Sequence, residues 1–139
     1  MVRKLVIAAA LLVVLSAASF ARTVKTVKIE KAGLSLDEGG RNPPDMCKPF
    51  MPTVDQIKRF FSKAYPVPVA TRIKDRYTPC YAEGRLEFSD GNSARWTIYS
   101  SGTAILEFDL GGSATVFYKD RKWHDPTACT YGNDVPSVC

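Results

Sequence analysis

The hydrophobic residues of this chain follow three different rhythms, and each one predicts a different element. From Leu5 to Leu15 every side chain is apolar, with no periodicity. Between Thr53 and Ala64 the apolar positions Val54, Ile57, Phe60, Phe61 and Ala64 recur at helical spacing, while Asp55, Lys58, Arg59 and Lys63 fall largely on the opposite side. Thr53-Val54-Asp55-Gln56 has the form of a capping box, with threonine at the N-cap and glutamine three residues on. Tyr65-Pro66-Val67-Pro68 ends this helix, because a residue before proline is pushed out of the helical region.

From Tyr81 the period changes to two. Leu86 and Phe88 alternate with Arg85, Glu87 and Ser89; Trp96 and Ile98 with Arg95, Thr97 and Tyr99. Ala104, Leu106 and Phe108 then alternate with Ile105 and Glu107, and Ala114, Val116 and Tyr118 with Thr115 and Phe117. Asp90-Gly91, Ser100-Ser101-Gly102 and Gly111-Gly112 separate these runs as tight turns. Four short strands joined by turns predict an antiparallel meander, covered on one face by the single amphipathic helix. The fold class is therefore α+β, with a four-stranded or slightly larger sheet. Ile105, Phe117 and Tyr99 are left on the outward face, to meet the N-terminal arm or to form a binding surface. Thr23–Lys31 alternates only loosely and reads as a short exposed strand or an extended arm. The stretch from Gly33 to Pro44, with Gly39-Gly40 and Pro43-Pro44, reads as a flexible loop.

The first rhythm sets the compartment. Arg3 and Lys4 precede the apolar run, and Ser19-Phe20-Ala21 places small side chains at the two positions that signal peptidase reads, so cleavage is expected after Ala21. The run is shorter than the roughly 18–20 residues that span a bilayer. The expected organisation is a signal peptide over 1–21, an extended arm and flexible loop over 22–46, and one α+β domain over 47–139. Removing 21 of 139 residues leaves 118, enough for one modest core. Without Arg3 and Lys4, seventeen basic residues face fourteen acidic ones, a net +3 that suits an acidic partner without demanding nucleic acid. Cys47, Cys80, Cys129 and Cys139 all lie in the exported part, and an even count there predicts two disulfides. Three pairings exist; Cys47–Cys80 with Cys129–Cys139 is preferred, the first tying together the ends of the helical region and the second closing the C-terminal tail.

Candidate chemistry is sparse. His124 is the only histidine, and Lys122-Trp123-His124-Asp125-Pro126 reads more simply as a turn than as a base oriented by Asp125. One histidine and four paired cysteines leave too few ligands for a transition metal, and no metal or other cofactor is expected. No Gly-x-Ser-x-Gly elbow and no phosphate loop occurs. Lys58, Arg59 and Lys63, then Arg72, Lys74 and Arg76, then Lys119, Arg121 and Lys122 form basic clusters with aromatics nearby. Interspersed acids and the exported location make these solvated faces rather than a nucleic-acid surface.

Thr78-Pro79-Cys80-Tyr81-Ala82-Glu83-Gly84, Trp96-Thr97-Ile98 and the Ser101-Gly102 turn resemble small exported proteins of Gram-negative bacteria, over about residues 47–132. Some exported proteins of this size are immunity proteins that protect a cell from toxins delivered into the periplasm. The resemblance carries over no functional residue. The expectation is a periplasmic or secreted, non-enzymatic protein that inhibits a protein partner by occlusion, most sharply as an immunity protein against a cell-envelope toxin. Trp123 and Tyr99 are its candidate anchors, with Arg95 and Arg121 beside them, since Trp, Tyr and Arg dominate interfaces. The other class is a cell-envelope domain that binds a small molecule or glycan.

Overall fold

A computed structural model describes residues 22–37 and 45–128. In chain order its elements are β1 (Val24–Ser35), α1 (Val54–Lys63), β2 (Tyr65–Pro66), a π turn (Thr71–Asp75), β3 (Cys80–Phe88), β4 (Ser93–Tyr99), β5 (Thr103–Phe108) and β6 (Ser113–Phe117). All strands pair antiparallel in one sheet of order β1-β3-β4-β5-β6-β2. The fold is α+β, and β3 to β6 form the meander read from the period-two pattern.

The sheet has six strands rather than four. The N-terminal segment is the twelve-residue strand β1, hydrogen-bonded along β3. Its register slips between Val24 and Thr26, Ile29 and Lys31, and Lys31 and Leu34. Each slip moves the following side chains relative to the sheet faces, which erases a clean period of two. At the other edge β2 is only two residues long, below the length at which alternation carries information.

Helix α1 starts where its caps place it. Thr53 Oγ1 accepts from Gln56 N–H at 3.2 Å, and Gln56 Oε1 accepts from Thr53 N–H at 2.9 Å. Gln56 also donates through Nε2 to Lys122 O at 2.8 Å, which ties the helix start to the C-terminal loop. Ile57, Phe60 and Phe61 are buried, whereas Val54, on the same apolar stripe, is exposed at the helix end. The buried three meet the sheet face that carries Ala82, Leu86, Ala94, Trp96, Ile98, Ala104, Leu106 and Val116.

Trp96 is the largest fully buried side chain, with Phe61 6.4 Å away between ring centroids. Its Nε1–H has no acceptor among the described residues. Gly84 lies opposite it in register on β3. A Cβ on Gly84 would stand 2.0 Å from Lys28 O and 2.6 Å from Trp96 Cζ2, so only glycine admits both the indole and the bulged β1. Phe60 packs on Trp123 at 5.3 Å, and Phe50 packs edge-on to the same indole at 5.8 Å.

Cys47 and Cys80 are bridged, joining the segment before α1 to the start of β3. Closing a loop of 33 residues contributes about 3–4 kcal/mol by restricting the unfolded chain. Cys129 and Cys139, the other expected pair, lie outside the described residues.

Gly84→Ala is expected to destabilise the protein by about 3 kcal/mol or more, measured by chemical denaturation, because both neighbours are held in the sheet. Ala82→Gly, on the same face of β3, is the control and should lose only the smaller effect of one methyl and added chain freedom. A Gly84→Ala protein as stable as the parent would show that the indole and β1 are not held against the glycine.

Candidate functional site

The outward face is covered by neither the N-terminal arm nor open water alone. After β2 the chain turns back across it as a short strap. Val67 N–H donates to Thr115 O at 2.9 Å on β6, Thr71 N–H to Pro68 O at 3.0 Å, and Arg76 N–H to Thr71 O at 2.9 Å, the last closing the π turn. Pro66 and Pro68 stiffen the entry to the strap.

Two arginines fasten the strap to the face that the alternating pattern left apolar. Arg72 places its guanidinium 5.1 Å from the centre of the Tyr99 ring, and Arg76 does the same over Phe117 at 5.2 Å. Arg76 Nη2 also donates to Ser101 O at 3.1 Å, while Ser101 Oγ donates back to Arg76 O at 2.6 Å. Cation–aromatic contacts of this kind strengthen as water is excluded. With its arginine stems turned inward, the strap presents Val69, Ile73 and Tyr77 outward, with Tyr65 at its start; these four are 46–55 % exposed. Lys74 and Asp75 are exposed among them.

The predicted anchors do not form one surface. Trp123 is a core residue, 9 % exposed and wedged between Phe50 and Phe60, with Nε1 donating to Ser100 O at 3.0 Å. This corrects its expected place at the surface: a tryptophan in a loop finds its lowest free energy where its ring is buried and its N–H is bonded. Tyr99 is also buried, at 7 % exposure, on the opposite face beneath Arg72. Arg121 is half-buried and paired through Nη2 with Asp125 at 3.1 Å. Arg95 alone is exposed, beside Arg85 and Glu107 in the cross-strand register. Arg85 itself bonds Asp109, and the Ser93 hydroxyl followed by Arg85 holds that carboxyl below its usual range.

A buried polar network escaped the sequence reading. Ser100-Ser101-Gly102 is the tight turn its sequence predicts, between β4 and β5, yet Ser100 and Ser101 are fully buried. Ser100 Oγ and Thr78 Oγ1 are 2.8 Å apart, Thr127 Oγ1 lies 2.9 Å from Thr78 Oγ1, and Asp125 accepts from Thr127 N–H at 2.9 Å. The Asp125 carboxylate is therefore committed to Arg121 and Thr127, and His124 is exposed. No local signal marks such a network, because its members come from three separate segments. Among the described residues no three side chains converge as metal ligands, and no helix is long and apolar enough to cross a membrane.

Burial pushes the Tyr99 hydroxyl above the usual tyrosine value, an effect that the Arg72 charge partly offsets. The folded state thus holds this proton more tightly than the unfolded chain. Stability carried by Tyr99 is complete below about pH 10 and declines as the pH rises past it toward the folded value. Denaturation measured from about pH 8 to about pH 11 should show a decline that is shallower in Tyr99→Phe; identical slopes would contradict the burial of the hydroxyl.

Comparison with protein-family models found no matching family, and comparisons with curated proteins and with solved structures found no match.

Proposed function

We propose that this protein is exported and acts without turnover, binding a protein partner through the strap and occluding that partner's working surface. An immunity protein against a cell-envelope toxin is the sharpest form of this reading. The observation that carries it is the row Tyr65, Val69, Ile73 and Tyr77. Four large apolar side chains are held half-exposed on a segment fixed from beneath by Arg72 and Arg76. Contiguous exposed apolar groups with a polar rim mark interaction surfaces, and tyrosine and arginine are enriched where binding energy concentrates. A pre-fastened segment also loses less conformational freedom on binding than a free loop. The Cys47–Cys80 bridge suits an oxidising compartment, and a basic leader, an apolar run and Ser19-Phe20-Ala21 support export with a mature N-terminus at Arg22.

The test uses protein recovered from the periplasm, whose intact mass should begin at Arg22. A pull-down from whole-cell and secreted fractions identifies the partner, and titration should then lower its activity linearly to zero near one equivalent. Ile73→Asp is expected to weaken binding by about 2 kcal/mol or more without changing the melting temperature. His124→Ala should leave inhibition intact. Sub-stoichiometric inactivation that disappears with His124→Ala would show a catalyst and defeat the proposal. Unchanged binding by a folded Ile73→Asp protein would remove the strap from it.

A further inference from the structure

The inner face carries a second feature, separate from the strap. Where the end of α1 meets β5 and β6, a cavity of about 300 Å³ is lined by Phe61, Phe88, Leu106, Phe108, Ala114 and Val116. That volume is at the small end of ligand pockets, which are mostly apolar with a few placed polar groups. Arg22 is the one charged residue in its lining. The guanidinium lies 5.1 Å from the Phe88 ring centre and 5.4 Å from that of Phe108, and its Nε is 3.4 Å from Asp90 Oδ2. Two rings and one carboxylate thus hold a cation at an apolar cavity. Among the described residues the guanidinium makes no other polar contact.

We propose that this cavity binds a small amphipathic anion, a free carboxylate carrying one medium-length chain or a single ring. The apolar body would fill the space between Phe61, Phe108 and Val116, and the carboxylate would take the planar donors of Arg22. A guanidinium matches a carboxylate in both charge and geometry. The Arg22–Asp90 pair is 45 % exposed on both sides, so the guanidinium keeps donors for a second carboxylate, which an uncharged hydrophobe would not use. The volume admits one short chain, which selects a free carboxylate over a two-chain lipid. This inference does not depend on the protein partner, and either can fail alone.

The probe is octanoate, below its micelle concentration, with 1-octanol as its uncharged counterpart. Calorimetry should give saturable one-to-one binding of octanoate, with amide shifts centred on Leu106–Phe108 and Ala114–Val116. Octanol should bind at least about tenfold more weakly, the worth of one charge-assisted contact. Arg22→Gln removes the guanidinium while the α-ammonium of a chain that begins there remains, and it should weaken octanoate at least about tenfold and leave octanol unaffected. Ala114→Phe should block both by filling the space; if that variant does not fold, the Arg22 comparison stands alone. Equal affinity for the two probes, indifference to Arg22→Gln, shifts elsewhere on the protein, or no saturation below about 10 mM would each overturn the proposal.

Discussion

The missing side chain of Gly84 is the constraint on which the rest of the structure depends. The fully buried indole of Trp96 lies against that position, and the backbone of β1 closes on it at Lys28 O. Even one methyl there would collide with both. With the indole seated, Phe61 has a surface to pack on, and α1 is held on the inner face of the sheet. Phe60 on the same helix then reaches Trp123, and Trp123 is secured in turn by Phe50 and by its bond to Ser100. Helix, sheet and C-terminal loop therefore share one aromatic cluster. A disturbance at Gly84 therefore reaches the helix and the C-terminal loop through contacts between buried rings.

The outer face is organised by a different force. Its apolar residues face a crossing segment whose own large apolar side chains, Val69, Ile73 and Tyr77, are turned away from them. Arginines supply the cover instead: their long stems lie over the rings, and their charged ends stay near water or bond the backbone. This arrangement buries Tyr99 while turning Val69, Ile73 and Tyr77 outward. The same contacts that close the face create the exposed row, so the surface proposed for partner binding is a consequence of how the sheet is sealed. Water held against that row is released when a partner covers it, which is the usual source of association energy.

The central meander and α1 were legible because each is defined by local periodicity and local caps: Thr53 and Gln56 declare the helix start, and the glycine turns separate the strands. β1 was not, since its bulges break the alternation and its pairing with β3 is set by contacts far along the chain, from Ser35↔Cys80 to Val24↔Phe88. The buried Ser100-Ser101 turn and the Thr78–Thr127–Asp125 network were hidden for a related reason: serine and threonine signal turns when read locally, yet bury readily once other segments satisfy their hydroxyls. Composition offered aromatic and arginine residues as candidate anchors, but it could not say which would be used internally. Trp123 and Tyr99 are; among the described residues Tyr65 and Tyr77 are the tyrosines left exposed. Spacing could have drawn attention to the strap, because Tyr65, Val69, Ile73 and Tyr77 recur every four residues, but the prolines around them read only as a helix end.

Hydrogen exchange of the protein alone and in complex with its captured partner tests the central claim most directly, because it reads the binding surface without altering a residue. The account predicts added protection over Tyr65–Tyr77, with β1 and α1 unchanged. Protection confined to other segments, with the strap exchanging as it does in the free protein, would contradict it.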